Sequence, residues 1–272
     1  VWSGAVQIDA GNLLVGDMMA VIQYVMQIMM SFMMFSMIFV MMPRAIASGR
    51  RIQAVLDAAE AIHDPAVPAR ETCLRGTVEF RDVSLTYQGA EKPVLEGISF
   101  TARPGETTAI IGSTGSGKST LVNLIPRFFD ATQGQVLVDG VDVREMTQRE
   151  LRDKIGFVPQ KALLFRGTIR DNIAYGKADA TDEELLAAAK TAQALDFIQQ
   201  KPQGLDSPVA QLGQNFSGGQ KQRLSIARAL VRRPEIYIFD DSFSALDART
   251  DAALRAALKE TVGEATVLIV AQ

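Results

Sequence analysis

From Met18 to Met42 the chain carries no charged residue, in the run MMAVIQYVMQIMMSFMMFSMIFVMM. A helix that crosses a bilayer needs about 20 mostly apolar residues. At ~1.5 Å rise per residue this run covers roughly 37 Å, enough to span with some tilt. It is too long for the apolar core of a signal peptide, and no basic region precedes it. It is apolar all round, whereas the surface helix of a soluble domain keeps a polar face. The flanks give an orientation. Asp9 and Asp17 precede the run, and Arg44, Arg50 and Arg51 follow it. Positive charge marks the cytoplasmic side, so the helix is expected to end inside the cell with everything after it cytosolic. VWSGAVQI reads as the end of a preceding span and DAGNLLVGD as a short outer turn.

Gln23, Gln27 and Ser31 fall at i, i+4 and i+8, one narrow polar stripe. Two readings stand side by side: a stripe facing a substrate path, or hydrogen bonding between packed helices. Most of the methionines lie in the same run, which suits an adaptable surface as well as lipid contact or packing. Beyond it, PRAIASGRRIQAVLDAAEAI keeps helical periodicity, with Ile46, Ile52, Val55, Leu56 and Ala59 on one side. The membrane helix is expected to continue into the cytosol until Pro65 and Pro68 break it.

The bulk numbers exclude some classes. Net charge is −3, so nothing suggests a polyanion-binding surface, and no nucleic-acid partner is expected. Cys73 is the only cysteine, which excludes an intramolecular disulfide and any paired-thiolate metal site. His63 is the only histidine and sits in the Pro-rich stretch AIHDPAVPAR, a solvated linker position. The chain begins with valine and stops inside the apolar run TVLIVAQ, so it reads as a fragment cut at both ends.

From GTVEFRDVSLTY onward, short β-rich runs alternate with helical ones, which predicts an α/β domain around a mostly parallel sheet. TTAIIGSTGSGKSTLVNLI holds a strand, a glycine-rich loop and a helix. Gly112, Gly117, Lys118 and Ser119 fit G-x-x-x-x-G-K-[ST]. Glycines let the backbone wrap a phosphate with its N–H groups, and the helix starting near Lys118 aims its positive end at the same anion. Lys118 then reaches the β- and γ-phosphates, and the Ser119 hydroxyl ligates Mg²⁺. Asp240, ending the apolar run YIF, is the expected second Mg²⁺ partner. In NFSGGQKQRLSIARAL, Ser217, Gly218, Gly219 and Gln220 precede a helix carrying Arg223 and Arg228, a second anion-binding helix start. Two such starts far apart in sequence are explained by a dimer. Each nucleotide then lies between the loop of one chain and the cap of the other.

These segments, in this order, resemble the C-terminal part of an exporter-type ABC half transporter. GSTGSGKST (Gly112 to Thr120, including Ser113, Gly115 and Ser116) resembles the family's Walker A motif. FSGGQ resembles its signature, IYIFDD its Walker B and SALD, ending in Asp247, its D-loop. Gln160 in GFVPQ resembles the Q-loop glutamine, which serves both the metal and catalysis. Tyr87 falls where the family stacks an aromatic on adenine, and LLFRGTIRDNI (Leu163 to Ile173) resembles the exporter segment after the Q-loop, near the coupling to membrane helices. The resemblance implies ATP and Mg²⁺ as ligands, and an α/β P-loop NTPase domain of ABC type with a helical subdomain, preceded by an all-α transmembrane segment. It divides the chain into the end of a transmembrane domain (1–42), a helical linker (43–74) and a C-terminally truncated nucleotide-binding domain (75–272). It also implies an integral protein of the plasma (inner) membrane with a cytoplasmic nucleotide-binding domain, transporting a small molecule, lipid or peptide.

The chain departs from the family pattern in one composite site. Walker B normally ends Asp-Glu; here it is Asp240-Asp241. The switch histidine after a late strand is replaced by Gln272. A milder change puts Gln211 in VAQLG where an acidic residue is common. Aspartate keeps the charge of the water-activating glutamate but is shorter by one methylene, roughly 1.5 Å, and misplacement on that scale costs on the order of 10²-fold in rate. Glutamine can donate through its amide, with different reach and no charge. Both changes fall on one nucleotide, while the signature, which serves the other, is intact. The pattern resembles heterodimeric exporters with one weak and one competent site, so a second half transporter is the expected partner. A homodimer with Asp241 as an adequate base, an ATP-gated channel or regulator, and a soluble ATPase with the same signature are the alternatives. The run from Met18 to Met42 argues against the last.

Overall fold

The computed structural model describes residues 2–58, 60, 62–69 and 74–271. Ala59, Cys73 and Gln272 therefore lie outside the described residues. The chain divides into two compact units, Val1–Ala61 and Ile62–Gln272.

The first unit holds α1 (Trp2–Asp9) and α2 (Val15–Leu56), joined by a turn with Gly11 at φ 72°. α2 is one helix of 42 residues with no buried side chain, and its mean hydropathy reaches 2.0 over an 18-residue window. It is long and apolar enough to cross a membrane. The polar stripe is partly self-satisfied, since the Ser31 hydroxyl donates to the Gln27 carbonyl at 2.9 Å. Pro43 lies inside the helix; it has no N–H to donate one turn back, yet the helix continues through it. α2 stops at Leu56, well before Pro65. Asp57 closes the last turn through its N–H to the Gln53 carbonyl at 2.8 Å, and its carboxylate accepts from Gln53 Nε2 at 2.7 Å. α2 thus ends before both Pro65 and Pro68.

The second unit is built on two four-stranded sheets. One is antiparallel: β1 (Val78–Leu85), β2 (Leu95–Ala102), β4 (Gln133–Val138) and β5 (Val141–Asp142), in the order β2-β1-β4-β5. The other is parallel: β3 (Thr107–Ile111), β6 (Ile155–Val158), β9 (Ile236–Asp240) and β10 (Thr266–Ala271), in the order β3-β10-β9-β6. The expectation of a mostly parallel sheet thus holds for half of these strands. β1 alternates buried and open positions near its two ends, the pattern of a strand with one wet face. Its middle is bulged between Phe80 and Val83, which interrupts the period-2 signal.

β9 is buried along its whole length, as a central parallel strand requires. Its side chains alternate between two cores. Ile236 and Ile238 join Phe80, Leu124, Ile125, Leu151 and Leu268. Tyr237 and Phe239 join Leu185, Ile198, Leu224, Ile226 and Leu254. Each fully buried aliphatic or aromatic side chain contributes about 1.5–3 kcal/mol, so β9 is tied to both halves of the domain.

The short helices are α3 (Lys118–Asn123) and α4 (Gln148–Asp153). A helical subdomain comprises α5 (Ile169–Ala174), α6 (Asp182–Thr191), α7 (Leu195–Gln199) and α8 (Gly218–Leu230). α9 (Ala248–Thr261) follows β9, and a small ribbon pairs β7 (Gly167–Thr168) with β8 (Pro208–Val209). Reciprocal capping boxes start α4, α5, α6 and α8 at Thr147, Thr168, Thr181 and Ser217.

Candidate functional site

Strand register assembles the site. β10 lies between β3 and β9, and Val270 pairs with both Ile110 and Asp240. The three strands are parallel, so their carboxyl ends share one edge, where ligands of open α/β sheets bind. The glycine loop leaves β3 there and Asp240 ends β9 there, two strand spacings or roughly 9.6 Å apart. β6 pairs on the other side of β9, with Val158 opposite Phe239. Pro159 and Gln160 therefore emerge beside Asp241. The fully buried Ser242 hydroxyl donates to the Val158 carbonyl at 2.9 Å and fixes that approach.

Residues 114–120 line an open cleft of about 250 Å³, together with Val94, Gln160, Asp241 and Val270. Gly115 and Gly117 have φ of 82° and 86°. A Cβ on Gly117 would stand 3.1 Å from the Val94 carbonyl and from both Val94 and Leu95 side chains, so only glycine lets the loop turn here. Lys118 Nζ donates to the Gly112 carbonyl at 2.6 Å and the Ser113 carbonyl at 2.8 Å, which holds the ammonium across the loop. α3 has six residues. An anion here is therefore met chiefly by loop N–H groups and Lys118 rather than by a long helix dipole. Thr120 bonds the hydroxyl of half-buried Tyr87 at 3.0 Å, and Phe129 meets the Tyr87 ring edge-on at 5.3 Å. Tyr87 is thereby attached to the loop's end.

Ser119 Oγ donates to Asp240 Oδ1 at 2.9 Å. Burial pushes the Asp240 carboxyl above the usual aspartate value; the Ser119 bond and Lys118 oppose this, while the Asp241 charge adds to it. A cation here would relieve that strain. Ser119 and Asp240 form an all-oxygen pair, which fits Mg²⁺, an ion that takes one or two protein ligands and completes its shell from phosphate and water. Asp241 sits at φ 46°, a left-handed conformation in which aspartate is enriched among non-glycine residues. Its Oδ2 accepts from Gln160 Nε2 at 2.8 Å, and its own N–H donates to the Val270 carbonyl at 3.2 Å. The Gln160 amide is thus bonded to the residue that follows Asp240.

Ser217 to Gln220 do not line this cleft. Ser217 is the N-cap of α8: its hydroxyl accepts from Gln220 N–H at 3.3 Å, and its N–H donates to Gln220 Oε1 at 3.0 Å. A Cβ on Gly218 would meet nothing within 4 Å, whereas one on Gly219 would lie 3.2 Å from the Ala245 carbonyl. The start of α8 therefore packs against Ala245 with Gly218 open. Asp247 is committed to capping α9, accepting from Thr250 N–H at 3.0 Å and Thr250 Oγ1 at 2.7 Å. Gln272 lies outside the described residues. The sequence reading passed over Val94 and Val270, apolar residues on the cleft wall, Ser242 and Gln222, polar residues whose partners Val158 and Pro159 are distant in sequence, and Asn172, which bonds Phe165, Thr168 and Arg228.

A phosphate loop, a carboxylate at the end of a strand two places away in the same sheet and a helical subdomain define a P-loop nucleotide-binding domain. A sequence-family profile described as ABC transporter matches residues 95–244. The chain belongs to the ABC transporter family. It is 49% identical over 276 residues to an uncharacterized ABC transporter ATP-binding protein of Mycobacterium tuberculosis, covering 100% of this chain and 47% of the relative. It is 48% identical over 217 residues to the beta-(1→2)glucan export ATP-binding/permease protein of Rhodopseudomonas palustris, covering 80% of this chain and 36% of that protein. Among solved structures it matches a bacterial Atm1-family ABC exporter with ATP bound, at TM-score 0.78 and 37% identity, over 96% of this chain and 46% of the other. The chain spans about half the length, or less, of the proteins it matches.

Proposed function

We propose that the chain is the last membrane span and the ATP-binding end of one half of an ATP-driven exporter. Residues 1–42 belong to the transmembrane domain, 43–74 form the linker and 75–272 the cytoplasmic nucleotide-binding domain, in a plasma (inner) membrane. Gly112 to Thr120 hold the phosphates of ATP, Tyr87 takes the adenine, and Ser119, Asp240 and Gln160 hold Mg²⁺. Bound there, Mg²⁺ supplies neutralisation of the phosphate charge. Ser217 to Gln220 and the D-loop at Asp247 complete the nucleotide site of a partner half transporter. ATP draws the two domains together and switches the membrane helices from inward to outward access. The exported molecule is a small compound, lipid or peptide.

One observation carries the asymmetric form of this reading: Asp241, where a glutamate would reach the attacking water, is drawn back onto Gln160 at 2.8 Å. With Gln272 at the switch position, this chain's own site is slow and the neighbouring one does most of the hydrolysis. The placement of Asp241 on the cleft wall favours one alternative, a homodimer in which it is a working base. Purifying the native complex and identifying its second chain tests the choice. A partner with Asp-Glu at Walker B and a switch histidine supports the heterodimer. A homodimer of the full-length chain with robust transport-coupled hydrolysis overturns it.

A further inference from the structure

α8 carries a half-buried guanidinium, that of Arg228, that no nucleotide motif uses. Arg228 donates from Nε to the Asn172 carbonyl at 2.8 Å, from one terminal nitrogen to the Leu163 carbonyl at 3.0 Å and from the other to Asn172 Oδ1 at 2.9 Å. The Phe165 and Tyr175 rings flank it, 5.2 and 5.7 Å from the guanidinium carbon. Asn172 is 1% exposed. Its amide donates to the Phe165 and Thr168 carbonyls at 2.8 and 2.9 Å, and its oxygen accepts from Phe165 N–H at 2.8 Å. Arg228 thus fastens both ends of the stretch from Leu163 to Asn172. A second side chain of the same helix, Gln222 (2% exposed), donates to the Pro159 carbonyl at 3.2 Å. Pro159 precedes Gln160, whose amide holds Asp241. The other end of α8 is Ser217.

Even partial burial of a cation carries a desolvation cost, and among the described residues none of the carboxylates forms a salt bridge to Arg228. A leucine or methionine would fill the space more cheaply if packing were all that mattered. What arginine adds is a planar fork that fixes three bond directions at once. We propose that Arg228, acting through Asn172, is a positioning residue: it clamps the segment after Gln160 to the signature helix. A shift of Gln160 at this chain's nucleotide then displaces Ser217 at the partner's. This rests on the reading that Ser217 to Gln220 serve a partner's nucleotide.

The test uses the full-length chain in its native complex, with Arg228→Lys and Arg228→Gln. Lysine keeps the charge and loses the fork. Both variants are expected to lower the kcat of ATP hydrolysis on the order of tenfold, the scale of mutations that weaken coupling between sites. KM and ATP affinity stay within about twofold, since neither residue touches the nucleotide. Hydrogen exchange should quicken at residues 163–172 while the amides of α8 stay protected. Wild-type kcat in Arg228→Lys overturns the proposal, because charge alone would then suffice. It is overturned equally if KM rises while affinity, melting temperature and α8 protection fall together, the signature of a packing role. Ser217→Ala in the same complex separates the two ideas. Full hydrolysis there removes the composite-site reading, whereas loss there beside a normal Arg228→Lys removes only the clamp.

Discussion

Replacing Asp241 by glutamate probes the proposed slow site of this chain. Two effects oppose each other. The added methylene extends the carboxylate by roughly 1.5 Å, about the displacement that costs on the order of 10²-fold when a reacting group is misplaced. The backbone pulls the other way. Asp241 sits at φ 46°, and a longer side chain without aspartate's local hydrogen bonding pays about 1 kcal/mol to stay there. The bond from Gln160 to Asp241 Oδ2, now 2.8 Å, must also be remade. Under the proposal, Gln272 at the switch position still lacks the charge of a histidine. We expect Asp241→Glu to raise single-site turnover by about tenfold, well short of the 10²-fold that reach alone allows, and to lower the domain's melting temperature by about 2–4 °C. ATP affinity should not change. Turnover is measured with labelled ATP on the full-length complex, with the partner's site disabled by mutation. A rise to the partner's rate refutes the two-defect account, and no rise at all refutes the argument from reach.

Three further outcomes follow from the geometry. Lys118→Ala removes charge-assisted bonds worth about 1.5–3 kcal/mol, so ATP affinity measured by equilibrium binding should weaken roughly 10- to 100-fold. Gly117→Ala puts a Cβ 3.1 Å from the Val94 carbonyl at φ 86°; it should destabilise the domain by about 1–3 kcal/mol in urea unfolding and abolish binding. Asp142 gives a pH test. Burial pushes its carboxyl up, but Arg144, through side-chain and backbone hydrogen bonds and its charge, outweighs this and holds it below the usual aspartate value. A depressed carboxyl contributes stability that is full above its unfolded value near ~3.9 and lost as pH falls through it toward the folded value. Urea midpoints of Asp142→Asn should therefore differ from the parent's most at neutral pH, and the gap should narrow below about pH 4.

The parts of the site that sit in contiguous sequence were legible. Gly112 to Ser119 announce a phosphate loop because glycine spacing, lysine and serine are local chemistry, and the all-apolar lead into Asp240 announces a central strand. The contacts that shape the site are not local. Gln160 meets Asp241 across 81 residues, and Ser242 reaches Val158 across 84; only the pairing of β6 with β9 brings them together. The antiparallel sheet was hidden for a related reason. A bulge in β1 breaks the alternation that marks a half-wet strand. The early end of α2 was not legible because Pro65 is the nearest strong breaker after Leu56, and α2 stops before reaching it. Asp247 read as a dimer-facing residue, and its commitment to Thr250 as a helix cap needed the structure.

The central claim is that this chain holds ATP while its neighbour cleaves it. The direct measurement is to photo-crosslink radiolabelled ATP to the native complex during turnover, separate the two chains and identify the nucleotide on each. The account predicts triphosphate on the peptide containing Lys118 and diphosphate on the partner's. Diphosphate at the Lys118 site, formed as fast as at the partner's, would contradict it.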